Sequence, residues 1–178
     1  MACDLTTGRS VPCKDVVGGI KAVYFANYGE LGAITYDTTN TDAIDSFAGT
    51  PTAYEYDVKG NSSFEQTITS SRENGTTFFE QTLNLTFTKL DKATNKELKL
   101  MAYGRPHVFV EDYNGNVFVM GLEHGAEVTG GTVVTGAAMG DLSGYTLTLT
   151  AQEKVPANFL DTTLSAAGVS VSATQINP

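Results

Sequence analysis

The sequence predicts a mainly β protein, an antiparallel β-sandwich or barrel with one long hairpin and a single short α-helix at about residues 91–102. Three observations predict this fold class. The chain is rich in Thr, Val, Tyr and Phe, which favour strands. Several segments alternate between apolar and polar residues. Two Asn-Gly dipeptides, which favour tight hairpin turns, separate such segments.

The length of 178 residues suits one domain with a sizeable core. We expect a single domain over residues 1–178. An extended N-terminal arm (1–19) is predicted from its Gly-, Pro- and polar-rich composition, and a C-terminal segment (156–178) follows the last long strand.

The net charge of −9 argues against two classes of partner. Binding of nucleic acid through its phosphates needs basic patches, and an anionic membrane surface attracts basic segments. No stretch resembles a signal peptide or is long enough to cross a bilayer, so we expect synthesis and assembly in a cytoplasm. There Cys3 and Cys13 are expected as reduced thiols, although a disulfide that pins the arm is an alternative.

The elements before the long hairpin are short. Residues 38–51 are predicted to be a loop with one helical turn. Alternation and flanking turn residues predict strands at 20–29, 32–37 and 52–58.

The long hairpin joins a strand at 63–73 to a strand at 76–90. A two-residue type I′ turn at Asn74-Gly75 would pair Glu73 with Thr76. The same register gives the pairs Thr69–Glu80, Thr67–Thr82 and Glu65–Asn84. It sorts polar residues to one face and apolar residues to the other, with Ser70 and Gln81 as exceptions on the apolar face.

The helix follows directly. Asp91 is the predicted N-cap and Gly104 the predicted end, and Leu98 and Met101 follow helical spacing. A second hairpin (105–125) turns at Asn114-Gly115, and the predicted register has the pairs Val110–Val119 and Phe109–Met120. Both faces of this hairpin are apolar, which indicates burial on two sides.

The remaining strands are predicted from residue 126 onward. Residues 126–144 are strand-like but interrupted by glycines, which indicates bulges or bends. Residues 145–155 alternate cleanly, and one further strand is expected at 169–174. Together the patterns predict a core of Phe64, Ile68, Phe79, Leu83, Leu85, Phe87, Leu98, Met101, Val110, Val119, Leu147 and Leu149.

A polar face forms the other side of the long hairpin and of the 145–155 strand. It can be an ordinary solvent-facing surface or the wall of a water-filled channel. Long strands with unpaired edges tend to aggregate, because another chain can pair with them. Repeated subunits that join edge to edge in a closed ring would remove these edges. The residues predicted to face the channel are Glu65, Thr67, Thr69, Glu80, Thr82, Asn84, Thr86, Thr88, Thr146, Thr148 and Thr150.

Catalytic patterns are weak in this chain. His107 and His124 do not have metal-ligand or catalytic spacing with the cysteines, although a two-ligand cation site at Glu123 and His124 is an alternative. The acidic pair Glu111-Asp112 lies beside a hairpin turn, where carboxylates usually face water. We therefore predict no enzyme activity, no catalytic residues, no metal and no cofactor.

The order of long hairpin, short helix, hairpin and strand ending in Glu-Lys-x-Pro resembles bacteriophage tail tube proteins and the related tubes of type VI secretion and contractile injection systems. The resemblance covers about residues 62–156. Its main pieces are "ENGTTFFEQTLNLTFTKLDKATNKELKLMAYGRPHVFVEDYNGNVFVMGLEHG" and "GAAMGDLSGYTLTLTAQEKVPANFL". The first 20 residues are similar to the start of virion structural proteins of tailed phages.

The resemblance implies a tail tube subunit that assembles into stacked rings, commonly hexameric, around a conduit for DNA. By that analogy the 62–90 hairpin and the strand at 145–150 line the lumen. The arm 1–19, the loop 37–51 and the C-terminal segment would contact neighbouring subunits. The partners would be further copies of the chain and other tail proteins, and no membrane would be involved. DNA would pass through the conduit without specific binding. The protein would reside in the virion tail.

Two alternatives remain open from the sequence. One is another phage head–tail, neck or baseplate structural protein, because these share one fold with the tube. The other is a monomeric β-sandwich binding module. Such a module would favour exposed aromatic platforms, and the chain offers eight Tyr but no Trp.

Overall fold

The structure, a computed structural model, describes residues 7–10, 13–58 and 61–173. Over these ranges the chain is mainly β, with two sheets and one helix, and no closed barrel forms. The strands are β1 (Ile20–Ala26), β2 (Ile34–Tyr36), β3 (Ala43–Phe47), β4 (Thr52–Asp57), β5 (Ser63–Ser71), β6 (Thr76–Thr88), β7 (His107–Asp112), β8 (Val117–Met120), β9 (Glu127–Val134), β10 (Gly144–Glu153), β11 (Asn158–Leu160) and β12 (Ser170–Ser172), and the helix is α1 (Lys92–Tyr103). The predicted fold class, mainly β with one helix, is confirmed.

The first sheet has eight strands in the order β12-β4-β1-β7-β8-β11-β3-β2. Most neighbours are antiparallel, but β11 runs parallel to β3 and β12 runs parallel to β4. The C-terminal segment, as far as residue 173, thus supplies two strands to this sheet. The loop expected at 38–51 is corrected, because it contains β3.

The second sheet has four antiparallel strands in the order β5-β6-β10-β9. The two longest strands, β6 and β10, lie at its centre and pair over ten residues, from Gly144 opposite Thr88 to Glu153 opposite Phe79. The predicted irregularity near the glycines of β9 is present as a register shift between Thr148 and Leu149 of β10.

The buried side chains form two clusters, one on each face of the eight-stranded sheet. In β1, Val23 and Phe25 point toward the second sheet, while Ala22 and Tyr24 belong to the cluster on the opposite face. Because successive side chains of a strand point to opposite faces, this sheet is apolar on both sides. The first cluster lies between the two sheets and holds them together as a sandwich.

The predicted core is mostly buried. Seven of its residues are buried, namely Leu83, Leu85, Phe87, Leu98, Val110, Val119 and Leu149. Phe64, Met101 and Leu147 are partly buried and pack against the first cluster. Ile68 was wrongly predicted, since 66% of it is exposed. The β5–β6 hairpin extends past the end of β10, whose last pair is Glu153 with Phe79, so Ile68 and the half-buried Phe79 lie at the margin of the sandwich.

The long hairpin has a wider turn than predicted. Ser71 pairs with Thr76, which leaves four residues (72–75) in the loop. The predicted pairs are therefore displaced by two residues. The observed pairs are Thr69–Phe78, Thr67–Glu80, Glu65–Thr82 and Ser63–Asn84. A displacement of two residues keeps every side chain on its predicted face, because the strand period is two.

The second hairpin is corrected by one residue. Its pairs are Val110–Phe118 and Phe109–Val119. The loop has three residues, because Gly115 N–H donates to the Asp112 carbonyl and Gly115 takes a φ of +84°. This is a type I turn followed by a left-handed residue. As a result, Val110 and Val119 lie on opposite faces, in separate clusters. The predicted burial on two sides is confirmed.

The helix lies within one residue of its predicted bounds. Asp91 is the N-cap, and its side chain accepts hydrogen bonds from Ala93 N–H and Thr94 N–H. Gly104 follows the last turn, with its N–H bonded to Leu100 and Met101 carbonyls. The helix buries Leu98 in the first cluster and packs near β9. None of the described helical residues belongs to a helix long and apolar enough to span a membrane.

The described parts of the N-terminal arm, residues 7–10 and 13–19, are exposed and have no strand or helix. The arm is anchored where Val17 N–H donates to Asn114 Oδ1 and Asn114 Nδ2 donates to the Val17 carbonyl. Cys13 is an exposed free thiol, and Cys3 lies outside the described residues.

Candidate functional site

The polar face of the four-stranded sheet is the site that the sequence predicted. All eleven predicted residues lie in β5, β6 and β10, on the face turned away from the first cluster. The pairing arranges them in rows across the strands. These rows contain Glu65–Thr82–Thr150, Ser63–Asn84–Thr148 and Thr86–Thr146. The structure thus brings residues that are distant in the sequence onto one surface.

Hydroxyl hydrogen bonds order this face. Thr148 Oγ1 donates to Asn84 Oδ1 at 2.9 Å. The hydroxyls of Thr132 and Thr146 lie 2.6 Å apart and share a hydrogen bond. Such cross-strand pairs stabilise a sheet and fix the side-chain positions. The surface is therefore a regular array of hydroxyl and amide groups.

The charge on this face has one sign. The strands β5, β6, β9 and β10 contain no Lys or Arg. Their carboxylates on the polar face are Glu65, Glu80 and Glu127, and these fall in two adjacent rows. A surface that carries only negative charge repels polyanions rather than binding them.

Sequence reasoning missed the contribution of β9. Thr132 and Glu127 lie on the same polar face as Thr146 and Thr150, their partners in β10. The missed signal is the alternation in "EVTGGTVV", which the glycines obscured.

The two outer strands of this sheet, β5 and β9, have unpaired edges over the described residues. Their side chains are mostly exposed, whereas the central strands β6 and β10 are mostly buried or half-buried. A nine-residue and an eight-residue strand with open edges present backbone N–H and C=O groups that another strand can pair with.

A second cluster of polar side chains lies at the turn between β8 and β9, where Glu153 reaches it from the core side of the four-stranded sheet. Glu153 Oε1 accepts hydrogen bonds from Glu123 N–H and His124 N–H, and Oε2 lies 2.9 Å from His124 Nδ1. Each of these three side chains offers one cation ligand, all within 4.8 Å of one another. Because both Glu153 oxygens already accept hydrogen bonds from the turn, we interpret this carboxylate as the group that holds the turn.

Gln81 and His107 support the same turn from within the core. Gln81 Oε1 accepts from Gly121 N–H at 3.0 Å. His107 Nδ1 lies 2.7 Å from the Gly121 carbonyl, and Nε2 accepts from Gly29 N–H at 3.2 Å. These partners place the proton on Nδ1 of a neutral ring. Burial lowers the pKa of His107, which favours the same neutral form.

A groove of about 960 Å³ lies between α1 and the end of the first sheet that contains β1, β4 and β12. Aromatic and apolar side chains line much of it, including Tyr54, Tyr56, Phe87 and Met101. Burial raises the pKa of Tyr56 to about 12, so its hydroxyl stays protonated. Tyr54 is 47% exposed and offers an open aromatic surface.

Tyr28 also borders the groove and is 42% exposed, and two side chains contact its ring. His107 stacks on it with ring centroids 5.0 Å apart, and the Arg105 guanidinium lies 4.1 Å from the ring centroid. These contacts hold the Tyr28 ring in place at the border of the groove.

Comparison of the chain with protein-family models, with curated proteins and with solved structures finds no match.

Proposed function

We propose that the protein is a virion structural protein of a tailed phage, a tail tube subunit that assembles into stacked rings around a hollow conduit for DNA. The rings are expected to be hexameric, as the resemblance implies. The partners are other copies and other tail proteins. The protein is made in the host bacterial cytoplasm and resides in the virion tail.

One observation carries the proposal: the four-stranded sheet combines two unpaired edges with a polar face that lacks cations. Edges that pair between copies would be removed by closing the sheet into a ring. The polar face would then line the lumen. Because DNA carries closely spaced phosphates, a wall of hydroxyls and carboxylates would let it pass without binding.

The eight-stranded sheet fits the outer layer of such a ring. Each of its faces packs into one of the two buried clusters within a single copy. Its apolar side chains are therefore buried without assembly. The four-stranded sheet differs, because its outer strands are long, with nine and eight residues, and one of its faces is polar and open. We further propose that the protein has no enzymatic activity and needs no cofactor.

Negative-stain electron microscopy over a range of concentrations tests the proposal. Hollow rings or tubes of uniform diameter are expected. Monodisperse small particles at every concentration, with or without purified virion tails as a nucleus, would contradict it.

A second candidate function is supported by the groove beside α1. The exposed Tyr54 and the apolar lining would suit a monomeric binding module. Light scattering distinguishes the two candidates, because a binding module stays monomeric at all concentrations. Such a module would bind its ligand in the groove, in contact with Tyr54. Another neck or baseplate structural protein would form rings but not extended tubes.

A further inference from the structure

We propose that β9 of one copy pairs antiparallel with β5 of the next copy in one defined register. In it, Val133 lies opposite Phe64 of the neighbouring copy, and Val128 lies opposite Ile68 of the neighbouring copy. This inference rests on the proposed ring assembly and specifies the interface that would build it.

The strand directions allow this joint. Within the sheet β5, β6, β10 and β9 alternate in direction, so β9 and β5 of two adjacent copies run antiparallel. The contact joins two different edges. It is therefore a heterologous contact, which generates a ring when the rotation closes.

Two exposed apolar residues mark the interface. Val133 is 63% exposed, although it pairs with the buried Tyr145 and so points to the core side of the sheet. Ile68 is 66% exposed and pairs with Phe79, also on the core side. Each lies on an outer strand, where the sheet of a single copy supplies no neighbour on one side.

Apolar matching selects the register. In the proposed register Val133 and Val128 meet Phe64 and Ile68, and all four lie on the core side of the sheet. Val133 and Val128 are five residues apart whereas Phe64 and Ile68 are four apart. The bulge residue Thr129 accounts for the difference. A shift of one residue would place every pair on opposite faces.

Shifts of two residues fail on polarity. In one direction Val133 would face Gln66 and Val128 would face Ser70. In the other direction Val133 would face Ser62 and Val128 would face Gln66. Both shifts leave Ile68 without an apolar partner in β9.

The polar face agrees with the same register. Thr132 would lie opposite Glu65 of the next copy, and Glu127 opposite Thr69, so no two carboxylates face each other. A joint without stagger, in which each row of one copy meets the same row of the next copy, would instead extend the row that contains both Glu65 and Glu127. It would set these two carboxylates opposite each other, which is destabilising.

The proposed register offsets each copy from the next by four residues along the strand, and this stagger also fits a closed barrel. Phe64, Leu83, Leu149 and Val128 form one row across a single copy. The proposed joint continues this row at Ile68 of the next copy, four residues beyond Phe64. Four residues are about 13 Å along a strand and four strands are about 19 Å across, which gives a tilt of about 35°. Closed barrels have tilts of about 35–45°.

Disulfide cross-linking tests the register in a Cys3→Ser, Cys13→Ser background. Thr132→Cys combined with Glu65→Cys is the predicted pair. Two matched controls combine Thr132→Cys with Thr67→Cys or with Ser63→Cys, which report the shifts by two residues. Directly opposite Cβ atoms are about 5 Å apart and the diagonal ones about 7–8 Å, so oxidation discriminates between the pairs.

The predicted pair should form a ladder of covalent oligomers on a denaturing gel, at least fivefold more abundant than in either control. A stronger ladder from a control pair would overturn the register. Rings seen by electron microscopy that give no ladder with any pair would also overturn it while leaving the proposed function intact. Particles that never assemble would overturn both.

Discussion

Tyr145 and Asp91 are joined by two hydrogen bonds between β10 and the start of α1. The Tyr145 hydroxyl donates to the Asp91 carbonyl at 2.9 Å and accepts from Asp91 N–H at 3.2 Å. Tyr145 is buried in the first cluster. Its hydroxyl therefore fixes the backbone of the helix N-cap directly to the beginning of β10, a central strand of the four-stranded sheet.

The side chain of Asp91 gives the first prediction. Asp91→Ala removes the acceptor for Ala93 N–H and Thr94 N–H, and loss of an N-cap costs about 1 kcal/mol. Asp91→Asn keeps an acceptor oxygen and should lose much less. Urea unfolding of the three proteins measures the difference. Equal losses in both variants would show that capping is not the contribution of Asp91.

Gln81 gives the second prediction. It is 1% exposed on the buried face of β6, and its Oε1 accepts from Gly121 N–H. Gln81→Leu leaves that buried donor without a partner and should lower the free energy of unfolding by about 1–3 kcal/mol. Gln152→Leu, at an exposed position of β10, is the matched control, with an expected change within about 0.5 kcal/mol. A neutral Gln81→Leu would contradict the assigned hydrogen bond.

His107 predicts a pH dependence. Its folded-state pKa lies below the unfolded value of 6.5, because burial disfavours the charged ring. Between these two pKa values the unfolded chain binds more protons than the folded one. The contribution of His107 to the free energy of unfolding is thus fully present above pH 6.5. It is lost as the pH falls toward the folded-state pKa, by at most about 1.4 kcal/mol per pH unit.

Urea unfolding of the wild type and His107→Asn, at pH values between about 8 and 5, measures this loss. The stability difference between the two proteins should shrink as pH falls. Parallel pH profiles would contradict the prediction.

The polar face gives a functional prediction. Thr82→Lys with Asn84→Lys places two cations per subunit on the proposed lumen wall. Attraction to DNA phosphates should impair DNA passage while assembly stays intact. Asn95→Lys with Ala102→Lys makes the same charge change at exposed positions of α1. Infectivity and ring formation of both variants are the measurements, and unchanged infectivity of the first variant would count against a lumen-facing position.

Local chemistry predicted much of this fold. Alternation located the buried side of β6 at Leu83 and Leu85, and the residue types at Asp91 and Gly104 located the helix. These features depend on neighbours within a few residues. The polar face was predicted for the same reason, since a displacement of two residues in the hairpin leaves each side chain on its face.

Long-range pairing was not predictable in the same way. β3 carries only Ile44 and Phe47 as large apolar residues, and it becomes a strand because β11 and β2 pair with it. The register error at Asn114 arose because the Asp112 carboxylate accepts from Asn114 N–H and Asn116 N–H, which stabilises a three-residue loop. Ile68 was misplaced because it lies on the outer strand β5, in the row of the last β10 pair, at the margin of the sandwich.

The position of β11 has a consequence for the timing of synthesis. β2 and β3 join the eight-stranded sheet only through β11, so residues 34–47 have no place in it until residues 158–160 exist. At about 5–20 residues per second, that part of the nascent chain waits roughly 6–22 seconds. Chains that stop before β11 would leave residues 34–47 outside the sheet, so this part of the fold can form only after β11 has been synthesised.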